Sequence, residues 1–129
     1  MDMIGEFLTR IRNAGRAKHE KVDIPASKLR VGIAEILATS GFIRSYKVAK
    51  DSKQGVMRVY LKYNEGGSHA IDIVQRVSRP GRRVYVKSTD IPLIRSGHGM
   101  AIVSTSQGLM TGQQAKQKNL GGEFICKVW

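Results

Sequence analysis

The stretch from Ser104 to Lys118, which reads STSQGLMTGQQAKQK, carries the clearest local structure signals in the chain. Thr111-Gly112-Gln113-Gln114 within it is a capping-box pattern, which predicts a short helix that ends before Gly121-Gly122. Apolar residues at 100–103 predict a strand before this stretch, and the alternation of Phe124, Cys126 and Val128 predicts a strand after it. The last part of the chain is therefore expected to be mainly β with one short helix.

The segment Ser104-Thr105-Ser106 places three hydroxyl groups directly after an apolar strand. Such residues usually satisfy backbone groups of a turn. Alternatively, they contact phosphates, sugar edges and 2′-hydroxyls of a helical RNA, where short side chains permit close approach. Gly121-Gly122 is open to two similar interpretations, a plain helix stop or a point where RNA meets the backbone.

Basic residues are concentrated upstream of this stretch, between Asp72 and Asp90, with no acid among them: Arg76, Arg79, Arg82, Arg83 and Lys87. Tyr85 lies within the run, and Pro80-Gly81 predicts a turn. Arginine bridges phosphates and stacks on bases, and tyrosine stacks as well, so this mixture fits RNA. The alternative is a solvated hairpin in which Tyr85 is an ordinary cross-strand residue.

The first part of the chain shows helical periodicity in Ile4, Phe7, Leu8, Ile11 and Ala14. This spacing predicts an amphipathic helix that ends near Gly15. The polar face of that helix carries a set of candidate RNA contacts: Arg10, Arg12 and Asn13.

A second helix is predicted after Ser27, which is placed to cap it, and Gly41 marks its end. The buried stripe is expected to comprise Leu29, Ile33, Ile36 and Leu37. Lys28 and Arg30 fall in the first turn, where the helix dipole disfavours cations. A bound anion would relieve that mismatch; alternatively, two exposed basic residues cost only about a few tenths of a kcal/mol each.

Two alternating runs, 42–48 and 56–63, flank the turn-forming residues 51–55 and predict a hairpin. Residues 64–68 are polar and Gly-rich and form the best candidate domain boundary. The sequence therefore predicts an α+β protein of two small domains. Residues 1–64 form an α-β-α-β-β domain, and residues 65–129 form a mainly β, RNA-binding domain.

Net charge favours a polyanionic partner, because 22 Lys and Arg oppose 10 Asp and Glu, leaving +12 at pH 7. Nucleic acid is the commonest such partner, and an anionic membrane is the rival. No apolar run approaches the ~18 residues that a membrane span needs, and the acids Asp2 and Glu6 lead us to expect no export signal. The single cysteine, Cys126, fits a reducing cytoplasm and a buried structural role.

The sequence offers no catalytic constellation, and we expect neither catalytic residues nor a metal or cofactor. His19, His69 and His98 lie in separate segments without metal-ligand spacing, and no phosphate-binding glycine loop is present. A nuclease or RNA-modifying enzyme would need clustered carboxylates or a metal. A general RNA- or DNA-binding protein is compatible with all of these observations.

The order of short motifs resembles small-subunit ribosomal protein eight of the bacterial type over essentially the whole chain. The matching segments begin with 7–13 (FLTRIRN) and 25–29 (PASKL), continue with 76–81 (RVSRPG) and 97–101 (GHGMA), and end with 103–106 (VSTS), 108–111 (GLMT) and 121–123 (GGE). Their joint order and spacing are highly specific, although each match alone means little.

The resemblance implies a two-domain α+β structural constituent of the small ribosomal subunit that acts in translation in the cytoplasm. Such a protein binds a stem in the central domain of 16S-type ribosomal RNA, helps nucleate assembly, and in some cases represses the messenger of its own operon. The principal RNA contact carries over to Ser104, Thr105 and Ser106, with Tyr85, Gly122 and Glu123 as companions. The helix faces carry over to Arg10, Arg12, Asn13, Lys28 and Arg30. Neighbouring small-subunit proteins, notably the fifth, are implied partners.

The chain departs from the family pattern after Met110-Thr111. The family usually shows acidic residues and an Ala-Arg pair there, whereas this chain has Gly112, Gln114, Ala115 and Lys116. The missing acids weaken the favourable dipole interaction at the helix start, although Gln114 can still close the capping box.

Overall fold

The structure, a computed structural model, describes residues 2–49 and 55–129. Two compact units make up the chain: an N-terminal unit, Glu6–Asp72, and a C-terminal unit, Ile73–Trp129, which also includes the first residues up to Gly5. The division falls beyond residue 64, the predicted boundary. Residues 65–72 stay with the N-terminal unit because Tyr63 bridges to His69 and Ala70 N donates to Lys62 O.

The N-terminal unit follows the predicted α-β-α-β-β order: α1 (Met3–Arg16), β1 (Lys21–Pro25), α2 (Lys28–Thr39), β2 (Ile43–Ala49) and β3 (Val56–Leu61). Its antiparallel sheet has the order β1-β3-β2, so β3 is central. The predicted turn at 51–54 lies outside the described residues. Apolar residues of the helices and of one sheet face form the core, including Phe7, Ile11, Ile24, Ile33, Leu37, Met57 and Val59.

Local signals explain where helix α2 begins and ends. The Ser27 side chain caps α2 by accepting from Arg30 N, which confirms the predicted start. At its end, Gly41 has φ +84°, and Gly41 N and Phe42 N donate to Ala38 O and Leu37 O, the bonds of a Schellman motif.

Helix α1 ends differently from the expectation, because Gly15 lies inside the helix. Lys18, at φ 61°, takes the left-handed position, with Lys18 N donating to Gly15 O and His19 N to Ala14 O. A Cβ on Gly15 would overlap the His69 ring. Gly15 is therefore needed for the close packing of His69 and not for helix termination.

The buried stripe of α2 also differs from the prediction. Leu29 is 39% exposed, whereas Arg30 is only 3% exposed. The Arg30 guanidinium is held inside the unit because Nη1 donates to Pro25 O at 2.9 Å and Nη2 lies 3.8 Å from Glu6 Oε2. Ile33 and Leu37 are buried as predicted, so the stripe differs in its first turn, where Arg30 takes the buried position expected for Leu29.

The C-terminal unit is mainly β, as predicted. It contains β4 (Val74–Arg76), β5 (Tyr85–Val86), β6 (Met100–Thr105), β7 (Gly108–Thr111), α3 (Gly112–Gln117) and β8 (Gly122–Val128). Strand β8 is central, since it pairs with β4 and β5 on one side and with β6 on the other. A core cluster packs around α3 and comprises Ile91, Ile94, Ala101, Val103, Met110, Ala115 and Phe124.

The capping box of α3 forms as predicted. Thr111 N donates to Gln114 Oε1 at 3.1 Å, and Gln114 N donates to Thr111 Oγ1 at 3.2 Å. Gly112, one of the departures from the family pattern, is buried, and a Cβ there would lie 2.8 Å from Ile91 Cγ2. Ile91 thus occupies space that any larger residue at position 112 would need.

His69 makes the N-terminal unit sensitive to acid. Its ring lies 5.5 Å from that of Tyr63, and its Nε2 is buried without a hydrogen-bond partner among the described residues. Burial, with a smaller effect from Lys18, lowers the pKa of His69 below the ordinary 6.5. Protons therefore bind the unfolded chain more readily, so stability is lost as pH falls below about 6.5.

We expect His69→Gln to flatten this pH dependence, as measured by urea unfolding between about pH 5 and 7. His98→Gln, which changes an exposed histidine of the C-terminal unit, is the matched control, because it leaves His69 and the acid sensitivity that His69 gives the N-terminal unit in place. Equal slopes for the unchanged protein and His69→Gln would contradict the assignment.

Candidate nucleic-acid interface

Cross-strand pairing brings several predicted RNA contacts into one row of the C-terminal sheet. Glu123 on β8 is paired with Tyr85 on β5 and with Ser104 on β6. Directly paired residues in antiparallel strands share a face, so these three side chains form a row across the sheet. Tyr85 is 70% exposed, and its ring is therefore open to an incoming partner at the end of that row.

The hydroxyl segment closes the tight turn between β6 and β7. Thr105 Oγ1 donates to Gly108 O at 2.9 Å and accepts from Gln107 N at 3.1 Å. Gly108, at φ +109°, takes a conformation that favours glycine. Thr105 is thus a turn residue, whereas Ser106 is exposed at the tip beside Gln107 and Ser104 is half-buried in the row.

Glu123 is held by its own protein. Its carboxylate accepts from Ser78 Oγ at 2.5 Å and from Arg83 Nη1 at 3.0 Å, and its side chain is 18% exposed. Burial raises the pKa of Glu123, but the hydrogen bonds from Ser78 and Arg83 outweigh it and lower the pKa overall. The ionised carboxylate fixes the Arg83 segment, so Glu123 is a positioning residue in this row.

Ser78 is a site residue that the sequence did not reveal. It is fully buried, donates to Glu123 and accepts from Val84 N at 3.1 Å. It therefore joins the strand before the Pro80-Gly81 turn to the strand after it. Its two partners are set by tertiary pairing, so the one sequence signal for Ser78 is its place in the 76–81 segment of the family resemblance.

Gly121, just before β8, and Gly122, its first residue, have a role that neither sequence interpretation included. A Cβ on Gly121 would lie 2.5 Å from Val86 O, and a Cβ on Gly122 would overlap Ser104 O. Both glycines therefore allow the protein's own strands to approach closely. The absence of a side chain at these two positions thus sets the spacing between the strands that carry the row.

The basic run forms an exposed turn. Arg79 N donates to Arg82 O at 3.0 Å and Arg82 N to Arg79 O at 2.9 Å, which closes the turn at Pro80-Gly81. Arg79, Arg82 and Arg83 are all exposed. Arg76 is different, since its side chain is 8% exposed and Nε lies 3.2 Å from Asp2 Oδ2.

The N-terminal candidates divide into exposed and buried residues. Asn13 and Lys28 are exposed, and Arg12 is half-buried. Arg10 is exposed, with Nη1 donating to Asp23 O at 3.2 Å and Nε lying 3.9 Å from Glu6 Oε1. Arg30 was expected to be exposed in the first turn of α2, but it is only 3% exposed, and its guanidinium is therefore not part of the exposed basic surface.

Within residues 2–49 and 55–129, no group of three or more His, Cys, Asp or Glu side chains is arranged to hold a metal ion. Burial raises the pKa of the Cys126 thiol to about 12, so this thiol is not an activated nucleophile. Among the described helices, none is long and apolar enough to cross a membrane.

Comparison with known proteins identifies the family. The family model described as "Ribosomal protein S8" matches residues 2–129. The small ribosomal subunit protein uS8 of Bdellovibrio bacteriovorus is 68% identical over 129 residues, with all of both chains covered. Those of Geotalea daltonii and Streptococcus thermophilus are 55% and 53% identical over 128 residues, covering 99% of this chain and 97% of each relative.

These matches confirm the resemblance noted from the short motifs. They extend across both compact units and leave no substantial part of the relatives unmatched. The chain thus belongs to the ribosomal protein S8 family and is a structural protein, not an enzyme.

Proposed function

We propose that this chain is a structural constituent of the small ribosomal subunit that binds directly to a stem in the central domain of 16S-type ribosomal RNA. It helps to nucleate assembly there. The observation that carries the proposal is the row of Tyr85, Glu123 and Ser104, which ends beside the exposed hydroxyl turn. A net charge of +12 supplies the general attraction to a polyanion.

Different residues would supply affinity and selectivity. The exposed Arg79, Arg82 and Arg83 neutralise phosphates, which gives salt-dependent affinity for any RNA. Selectivity for an irregular stem would come from Ser104, Ser106 and the ring of Tyr85. Short hydroxyl side chains allow close approach to the RNA, and an aromatic ring can stack on an unstacked base. Thr105 and Glu123 act through the turn and the row that they hold in place.

The test separates selectivity from affinity. Thr105→Ala combined with Ser106→Ala should weaken binding to the cognate stem by about tenfold or more, because a contacting hydroxyl and the turn that presents it are both lost. Binding to a generic RNA duplex should change far less. Filter binding or calorimetry on both RNAs measures the difference, and an equal loss on both would contradict the role of the turn.

Two variants serve as controls for that experiment. Thr105→Ser keeps a hydroxyl that can close the turn and should preserve stem binding. Arg82→Ala removes one exposed cation, so it should weaken both RNAs alike and reduce the salt slope by up to roughly one.

The N-terminal unit is proposed to contact RNA as well. Lys28 and the exposed face of α1, with Arg10, Arg12 and Asn13, form a second RNA contact on the N-terminal unit. Further proposed partners are the neighbouring small-subunit proteins, notably the fifth, and the messenger of the chain's own operon. The proposed site of action is the ribosome in the cytoplasm. A crosslinking map on ribosomal RNA tests these contacts together.

A general RNA- or DNA-binding role outside the ribosome is the alternative function. Competition between the irregular stem and duplex DNA of equal length distinguishes the two. The role outside the ribosome would be favoured if the protein preferred the DNA or failed to sediment with assembled ribosomal particles.

A further inference from the structure

The N-terminal sheet has one face that none of the described elements covers. Alternation along β3 directs Met57, Val59 and Leu61 into the core, where each is at most 1% exposed. The intervening Arg58 and Tyr60 lie on the opposite side. Together with their cross-strand partners they define what we call the outer sheet face: Lys21, Asp23, Ser45, Lys47, Arg58 and Tyr60.

An aromatic ring stands near the middle of this face. Tyr60 lies on the central strand, where it is paired with Lys21 of β1 on one side and with Ser45 of β2 on the other. Lys47 Nζ lies 5.8 Å from the centroid of the Tyr60 ring. The ring is half-buried, with the Lys47 ammonium near it and Lys21 on the neighbouring strand. This part of the face therefore combines a stacking surface with charge for phosphates.

The neighbouring row adds charge that can change partners. Arg58 pairs with Asp23 through hydrogen bonds of 2.8 and 3.1 Å, and the two side chains are 44% and 48% exposed. An ion pair this exposed contributes little to stability, so the guanidinium can exchange its carboxylate partner for a phosphate. The face carries three cations, Lys21, Lys47 and Arg58, and one acid, Asp23, so its net charge is +2.

We propose that the outer sheet face binds a single-stranded nucleic-acid segment, with one base stacked on the ring of Tyr60 and the flanking phosphates held by Lys21 and Lys47. This goes beyond the proposed function, which places a stem on the C-terminal unit and on helix faces. A single strand is favoured over a duplex because only an unpaired, splayed base offers its face to a ring. Nucleic acid is favoured over an acidic protein because the central group is aromatic, and a purely acidic surface would leave it unused.

Fluorescence anisotropy with a labelled ten-nucleotide oligouridylate tests the proposal on the full chain. Tyr60→Leu keeps an apolar strand residue but removes the ring, and we expect it to weaken binding by about tenfold, since one base–ring stack is lost. Lys21→Gln combined with Lys47→Gln should weaken binding and lower the salt slope by up to roughly two.

Matched variants keep the outcome interpretable. Tyr60→Phe retains the ring and should bind within about twofold of the unchanged protein. Lys118→Gln removes an exposed lysine of the C-terminal unit and should leave the oligonucleotide affinity nearly unchanged. If Tyr60→Leu fails to fold, as judged by circular dichroism, the double lysine variant and Tyr60→Phe carry the test.

Backbone amide shifts in NMR locate the oligonucleotide, and we expect them in residues 21–24 and in Val56–Leu61. The proposal is overturned if the shifts fall in the C-terminal unit, if Tyr60→Leu binds as tightly as the unchanged protein, or if polyglutamate competes as well as the oligonucleotide. Thr105→Ala with Ser106→Ala should lose the stem but retain the oligonucleotide. Failure at one surface is thereby distinguished from failure at the other.

Discussion

Gly122→Val is expected to lower the free energy of unfolding by about 3 kcal/mol and to abolish measurable binding to the RNA stem. A Cβ at this position overlaps Ser104 O and lies 3.1 Å from Thr105 Cα, both of which are backbone atoms. No side-chain rotation can relieve the clash, so β8 and β6 must move apart. That movement disrupts the row in which Glu123 is paired with Ser104.

The control for this experiment is Gly66→Ala. A Cβ on Gly66 meets nothing within 4 Å, and its φ is not in the left-handed region. The substitution should be neutral or slightly stabilising, because alanine restricts the unfolded chain. Urea unfolding and stem binding are measured for both variants, and a Gly122→Val protein as stable as Gly66→Ala would refute the assigned close approach.

Arg30→Met is expected to lower the free energy of unfolding by about 2 kcal/mol. Methionine occupies a similar volume but leaves Pro25 O without the hydrogen bond that Arg30 Nη1 donates at 2.9 Å. The Glu6 partner is 41% exposed, so its share of the loss is reduced by solvent screening. The main cost is therefore the loss of the part-buried hydrogen bond to Pro25 O.

Lys28→Gln is the matched variant, since both residues lie in the first turn of α2 and only Lys28 is exposed. It should change stability by less than about 0.5 kcal/mol while lowering the salt slope of RNA binding. If Arg30→Met left stability intact and reduced RNA affinity as Lys28→Gln does, the buried structural role of Arg30 would be wrong.

Local signals in the sequence were sufficient for most of the fold. Ser27 and the Thr111–Gln114 box start their helices as predicted, and the order of elements in the N-terminal unit is the predicted one. These features depend on residues within a few positions of one another. For that reason they can be recognised without knowledge of tertiary contacts.

Features that depend on distant partners were not predictable in the same way. Arg30 is buried because Pro25 O and Glu6 receive its guanidinium, although a cation in that position normally indicates exposure. The glycines at 121 and 122 are required by Val86 and Ser104, which are remote in sequence. Likewise, the sequence predicts separate RNA contacts at Tyr85, Ser104 and Glu123, and only strand pairing places these residues in one row.

The central position of β8 has a consequence for folding cooperativity. Strands β4, β5 and β6 are all joined to β8, so none of these three pairings exists until β8 is in place. The C-terminal unit is therefore expected to open and close as one cooperative block, and the surface proposed to hold the stem is lost whenever that block opens.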